Sequence, residues 1–255
     1  MATRATRSLL ASLFLSLTWM GTAWADDAWS YALGGGIYEH PKFPGADSGY
    51  AEPLPYFDIR YGEHLFFNAL QGLGVKTSGR EDCWLSASIG PDLTRRSESD
   101  DPRLQGLGDV HYTGRLWLQA GASFRRYTAS VTLGRDLFHE GQGTIADFEF
   151  FAHHYPLDTL EIDDGVGLRW ADGEYTRSFF GVDAGQSQQS GLPQYAAGSG
   201  IASLQAFLRA HYALSANWIL VTNLAWNRLQ GDAVLSPITE SRDRFTVGVF
   251  LVYGF

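Results

Sequence analysis

The chain has a single cysteine, Cys83, among 255 residues. No internal disulfide is available, so the fold must hold by packing and hydrogen bonding alone. Long apolar runs are missing as well. Beyond the first 25 residues no segment holds about 18 consecutive apolar side chains, which excludes a transmembrane helix. Basic charge is scarce, with 19 Lys+Arg against 28 Asp+Glu. That balance argues against nucleic acid as a partner and gives no basic face for acidic lipid. Proline is sparse at 9 residues, whereas glycine reaches 29 and aromatics 14%. Disordered chains lack such aromatics; a tightly packed sheet wants them.

What is present begins at the N-terminus. "MATRATRSLLASLFLSLTWMGTAWADD" has a positive start at Arg4 and Arg7, an apolar stretch from Leu9 to Met20, and an A-x-A site at Ala23 and Ala25. This is the build of a secretory signal peptide, 1–25, cleaved after Ala25. Removing Arg4 and Arg7 leaves 17 basic residues against 28 acidic ones, a balance of −11. The mature chain, 26–255, is then exported.

Alternation of apolar and polar residues dominates the rest, as half-buried strands require. In "NWILVTNLAWNRL" the row Trp218, Leu220, Thr222, Leu224, Trp226 shares one face, bracketed by two tryptophans. The bracket spans about 26 Å along the strand at roughly 3.3 Å per residue, or about 20 Å once tilted, near the height of an apolar band between aromatic girdles. At the C-terminus, Phe245, Val247, Val249, Leu251, Tyr253 and Phe255 form another apolar row. Along 127–134, 144–153 and 201–212 the face opposite the apolar row is polar. Arg115, Asp147, Glu149, Arg209 and His211, with Glu161 and Arg169, fall on the rows that would line a lumen, and they mix signs. The pattern predicts an all-β, transmembrane antiparallel barrel of about twelve strands. A soluble sandwich also alternates, but it explains neither the signal peptide nor the tryptophan bracket. The expected strands are 28–37, 53–60, 65–77, 83–90, 111–121, 126–134, 144–153, 159–170, 175–182, 201–212, 217–227 and 244–255. Asp172-Gly173 is read as a two-residue hairpin turn. With both termini periplasmic, loops 38–52, 183–200 and 228–243 face outward. The segment 91–109 then falls on the periplasmic side, either as a projection there or because a strand before it is miscounted.

Chemistry-bearing motifs are few. His153 and His154 are adjacent, so on a strand they face opposite sides and cannot share a metal. "GLGVKTSG" lacks the phosphate-loop spacing and Gly34-Gly35-Gly36 lacks a dinucleotide-loop continuation. Ser203, His211 and Asp147 face the expected lumen and would make a hydrolase set only if they met within hydrogen-bond reach. A mixed-sign row points to charge pairs across a narrow interior more than to a wide selective pore.

Several stretches, taken in order, resemble the MipA/OmpV family of MltA-interacting outer-membrane proteins. "GGGIYEHPKFPGADSGYAEPLPYFDIRYG" is similar to its opening, through Pro44-Gly45 and Pro53-Leu54-Pro55-Tyr56. "ADGEYTRSFFGV" resembles its tyrosine-to-F-G-V strand through Tyr175, Phe180, Gly181 and Val182, and "LQGDAVLSPITES" its last long loop through Ser236-Pro237-Ile238. The resemblance spans 29–255. It implies an outer-membrane protein with no enzymatic activity and no cofactor or metal. It also implies a scaffold that gathers a lytic transglycosylase and a bifunctional murein synthase. Other members are described as porin-like or adhesive, so a small-solute channel or an adhesin is the alternative. The row ending at Phe255 further resembles the signal read by the barrel-assembly machinery.

Overall fold

The computed structural model describes residues 29–80 and 82–255; the expected cleavage residues Ala23 and Ala25 lie outside them. Twelve antiparallel strands close into a barrel. They are β1 (Trp29–Pro41), β2 (Gly49–Tyr61), β3 (Leu65–Asn68), β4 (Gly72–Arg80), β5 (Cys83–Asp92), β6 (Thr113–Phe124), β7 (Tyr127–Asp136), β8 (Thr144–Leu157), β9 (Leu160–Ala171), β10 (Gly200–Ala213), β11 (Trp218–Leu229) and β12 (Asp243–Gly254). Each strand pairs with its sequence neighbour. The barrel closes where β12 meets β1, in a register from Ala32↔Gly254 to Glu39↔Val247. Among the described residues, three α-helices interrupt the connections: α1 (Gly173–Phe180), α2 (Ala184–Ser190) and α3 (Gly231–Leu235).

The period of two divides the side chains as expected. Leu33, Ile37, Leu73, Ile89, Val166 and Leu224 stand exposed on the outer wall. Exposed apolar side chains on strand after strand form a belt that water would penalise and hydrocarbon accepts. The residues between them point inward and are packed: Ala32, Phe151, Phe207, Val221 and Val252 are buried.

Two strand expectations were wrong, and their errors cancel in the count. The stretch 65–77 is a hairpin, β3 and β4. Asn68 Oδ1 accepts the backbone N–H groups of Leu70 and Gln71 at 3.1 and 2.7 Å, a local turn that competes with strand continuation. Gly72 follows at φ 68°, where any Cβ would collide with the Ile89 carbonyl. The stretch 175–182 is not a strand, and Asp172-Gly173 is not a hairpin turn. Asp172 caps α1, accepting the N–H groups of Glu174 and Tyr175 at 3.0 and 2.9 Å. Tyr175 and Phe179, then Thr176 and Phe180, fall four apart and bury one helical face.

The count moves the 91–109 segment to the other end. With an extra hairpin before it, the connection 93–112 joins 42–48, 137–143, 172–199 and 230–242 on one rim, while the opposite rim carries only tight turns such as 125–126 and 158–159. Long loops of outer-membrane barrels are extracellular and short turns periplasmic. Segment 91–109 is therefore not a periplasmic projection; the strand count ahead of it was one short.

The long loops share a small core. Phe43, Ala46, Leu104, Leu107, Val182 and Ile238, drawn from four loops, pack together. Below it, α1 drops Tyr175, Phe179 and Phe180 onto Trp117, Ile145 and Ala202 of the barrel wall. Arg96, buried, stitches the layers by donating to the carbonyls of Phe179 at 3.2 Å and Leu107 at 3.3 Å. Burial lowers its guanidinium to about 10, so it stays charged at neutral pH. Beside it Asp109 is held below its ordinary range, first by the Glu98 N–H that it accepts at 2.8 Å. Phe43→Ala removes the centre of this cap, at a cost of about 3–5 kcal/mol if the site stays open. Limited proteolysis should then cut the 91–109 and 183–200 loops faster, while the heat-modifiable barrel band is unchanged; equal cleavage would show that the loops do not rely on a shared core.

Candidate functional site

The lumen is where charge and cavity coincide. β8 and β9 place Asp147 directly opposite Arg169, and the guanidinium grips the carboxylate twice, at 2.7 and 2.8 Å. Such a fork is the strongest geometry open to an ion pair. Glu149 reaches further. It accepts Arg209 at 2.9 Å from β10, passing over β9. That reach depends on glycine. In "DDGVGLRW", Gly165 and Gly167 of β9 face inward between Phe151 or Glu149 on one side and Phe207 or Gln205 on the other. A Cβ at Gly165 would run into the side chains of Phe151 and Phe207. Without one, these rings approach to 6.1 Å between centroids, and the Arg209 guanidinium lies 4.0 Å from the Phe207 centroid, within cation–π range. Glu149, Arg209, Phe151 and Phe207 are all buried. Mixed charges here are paired and packed, not bathed by a wide pore.

Above this layer lies a cavity of about 370 Å³, bordered by the 42–46 and 91–95 segments at the rim and by Gln119, Asp147, Glu149, Gln205 and Asn223 on the barrel wall. Its volume is in the range of small-molecule pockets. Glu149 Oε2 and Asn223 Oδ1 are buried without hydrogen-bond partners.

The remaining lumen residues part company. Arg115 is 0% exposed. It sits at the top of β6, donating to the Gly143 and Gln142 carbonyls at 2.9 Å and pairing with Asp92. It pins the 137–143 loop and does not line open space. His211 lies near the periplasmic end, its Nδ1 4.0 Å from Glu161 Oε2. Ser203, His211 and Asp147 do not converge. Ser203 and His211 are eight residues apart on β10, about 26 Å at roughly 3.3 Å per residue, and Asp147 is held by Arg169. A hydroxyl–imidazole–carboxylate line does form elsewhere. Thr128 Oγ1 is 2.9 Å from His153 Nε2, and His153 Nδ1 is 2.7 Å from Asp163 Oδ1. Thr128 is fully buried, so no scissile bond can approach its oxygen. Sequence reasoning missed this cluster by treating the histidine pair in isolation; the signal was Glu161 and Asp163, two apart on one face, just across a tight turn from His153.

On the outer wall, Phe245, Val247, Val249, Leu251 and Phe255 of the C-terminal row are exposed, and Tyr253 is half-buried. Tyr253 packs edge-on against Trp218 at 5.0 Å and Phe255 at 4.9 Å. Trp218 and Trp226 stand at opposite ends of β11, paired across to Tyr253 and Phe245.

A family model described as "MltA-interacting protein MipA" matches residues 33–255. The chain belongs to this family. The MltA-interacting protein of Escherichia coli K12 is 23% identical over 252 residues, covering 97% of this chain and 98% of that protein. The outer membrane protein OmpV of Vibrio cholerae is 24% identical over 243 residues, covering 89% and 93%. Among solved structures, Pseudomonas putida OprB aligns with a TM-score of 0.46 at 8% identity, covering 89% of this chain and 94% of that one. The apolar outer belt, the closed antiparallel barrel and the relative named outer membrane protein OmpV agree on the outer membrane as its location.

The packed pair gives a double-mutant test. Arg209→Ala strands Glu149 as a buried lone charge and should cost about 3–5 kcal/mol, whereas Arg209→Met with Glu149→Leu should recover most of that loss. The temperature at which the folded band disappears on unboiled gels measures both; a single mutant as stable as wild type would mean water already solvates the pair.

Proposed function

We propose that this MipA-family barrel is a non-catalytic outer-membrane anchor that gathers murein enzymes, a lytic transglycosylase and a bifunctional murein synthase, at its periplasmic rim. One observation carries the reading: the β8–β10 wall of the lumen is packed at mid-height by Phe151, Phe207 and the Glu149–Arg209 pair, all buried. A barrel so packed is better suited to holding a position in the membrane than to passing solutes. The relative from Escherichia coli is named for its interaction with MltA, which supports a transglycosylase as partner. The periplasmic rim offers exposed Arg125, Arg126, Tyr155 and Leu157 at adjacent hairpin ends, a mix of aromatic and arginine of the kind that dominates contact energies.

The reading is tested by capture of a purified lytic transglycosylase on the detergent-folded barrel. Arg126→Glu with Leu157→Asp should weaken capture by about thirtyfold, the loss of one hot-spot contact of about 2 kcal/mol. Trimming the 183–200 loop should leave it intact, and the opposite pattern would move the interface outside the cell. Planar bilayers should stay silent; regular conductance steps from the wild type would favour a small-solute channel instead, a reading that the rim cavity supports.

We also assign the apolar row ending in Phe255 to recognition by the barrel-assembly machinery, the Trp218 and Trp226 positions to the two interfacial girdles, and residues 1–25 to a cleaved signal peptide. Deleting Phe255 should reduce the heat-modifiable band in outer-membrane fractions; unchanged assembly would discard that assignment.

A further inference from the structure

The periplasmic half of the lumen holds a cluster that an anchoring role leaves unused. β9 turns Glu161 and Asp163 to the same inner face. β8 sets His153 opposite Asp163, and β10 sets His211 opposite Glu161. His153 Nδ1 lies 2.7 Å from Asp163 Oδ1 and 3.8 Å from Glu161 Oε1. One ligand atom from each of His153, Glu161 and Asp163 falls within 4.8 Å of the others. Small rotations bring these atoms onto one cation.

Two independent features point to a ligand. The far nitrogen of His153, Nε2, is 2.9 Å from Thr128 Oγ1, which is itself 2.9 Å from Ser123 Oγ. With Nε2 held by the Thr128 hydroxyl, the ring is oriented so that Nδ1 donates its hydrogen to Asp163 at 2.7 Å, and a cation bound there would replace that hydrogen. His211 is the second feature. Its side chain is 12% exposed; Nδ1 faces Glu161 Oε2 at 4.0 Å, and Nε2, on the other side of the ring, is buried with no hydrogen-bond partner, so the ring can turn toward a cation without giving up a bond there. The opposing charge is Arg209, across from Asp163 in register, but its guanidinium is turned to Glu149 and the Phe207 ring.

We infer that His153, Glu161 and Asp163, with His211 as a fourth donor, form a divalent transition-metal site reached from the periplasmic mouth. Two imidazoles beside two carboxylates suit zinc and its neighbours better than magnesium or calcium, which prefer oxygen alone. Four-coordination by such donors is common for zinc. A bound ion would tie three consecutive strands, β8, β9 and β10, at the end that faces murein.

The test is a titration of the mature, detergent-folded barrel, stripped with chelator, using Zn²⁺ alone against a chromophoric indicator. The expected result is one equivalent bound. His153→Gln and Asp163→Asn should weaken it by more than the about 10–100-fold that loss of an outer-shell partner costs, and Thr128→Val, which keeps every ligand, by about tenfold. His154→Ala, whose ring points out of the barrel beside Asp164, should bind as wild type. Each variant is first checked for the heat-modifiable band, and Thr128→Val carries the test where a ligand variant fails to fold. A wild-type barrel that takes up no zinc, or stoichiometric uptake that survives Asp163→Asn or is undiminished in Thr128→Val, overturns the site. No murein enzyme enters the assay, so its outcome is separate from that of the anchoring role.

Discussion

The structure depends on one constraint: inside hydrocarbon no backbone N–H or C=O can be left to water, because each unpaired group costs several kcal/mol. A sheet satisfies this only by having no edge. Strand β12 meets that demand by pairing on both sides, with β11 through Trp218↔Tyr253 to Arg228↔Asp243 and with β1 through Ala32↔Gly254 to Glu39↔Val247. Closure fixes the remaining chemistry. Each strand must send alternate residues into lipid and into the lumen, so the polar residues a strand needs for solubility before insertion are gathered inside. There they must find partners at short range.

The lumen solves that problem by neighbouring pairs. Asp147 with Arg169 and His153 with Asp163 each join directly opposed residues of β8 and β9, while Glu149 with Arg209 skips a strand. The skip is possible because β9 presents two inward glycines between the side chains of its neighbours. One short segment, "DDGVGLRW", therefore sets both the aromatic packing and the charge pairing of this wall. Exposed ion pairs are worth little, but buried ones penalise mispairing heavily. A one-residue slip of β9 would turn Asp163 and Arg169 toward lipid and leave Asp147 inside without its partner. The charges thus fix register more than they add stability.

That coupling explains what could be read from the sequence. Strands with an apolar outward row, such as β10, β11 and β12, are legible because the membrane enforces that row along their length. The errors lie where it does not. Residues 65–77 keep apolar side chains through a tight turn, and only the Asn68 side chain with left-handed Gly72 reveals the break. Residues 175–182 sit above the membrane, where α1 needs a helical face for the loop core and not a strand face for lipid; "DGEY" there is a cap. An inward row as such was legible, although Arg115, read as part of it, packs against the 137–143 loop. Which of its residues meet was not, since contacts across a barrel depend on stagger and on where glycines clear the path.

The two ends of the barrel are built on different principles, and this bears on where a partner can bind. The extracellular rim has its own core, formed by Phe43, Leu104, Val182 and Ile238 from four separate loops, and it shields one side of the cavity below. The periplasmic rim has hairpin ends only. Loops that bind by ordering themselves give up backbone entropy on contact, at about 1–2 kcal/mol for each residue fixed. Strand ends held by the barrel have already lost it. A murein enzyme recognised at this end would meet a small, preorganised surface whose side chains, Arg125, Arg126, Tyr155 and Leu157, are placed by backbone pairing and not by loop folding. Small area limits affinity, but a rigid ring fixed in the membrane supplies orientation, and orientation is what an enzyme working on a layer parallel to that membrane requires.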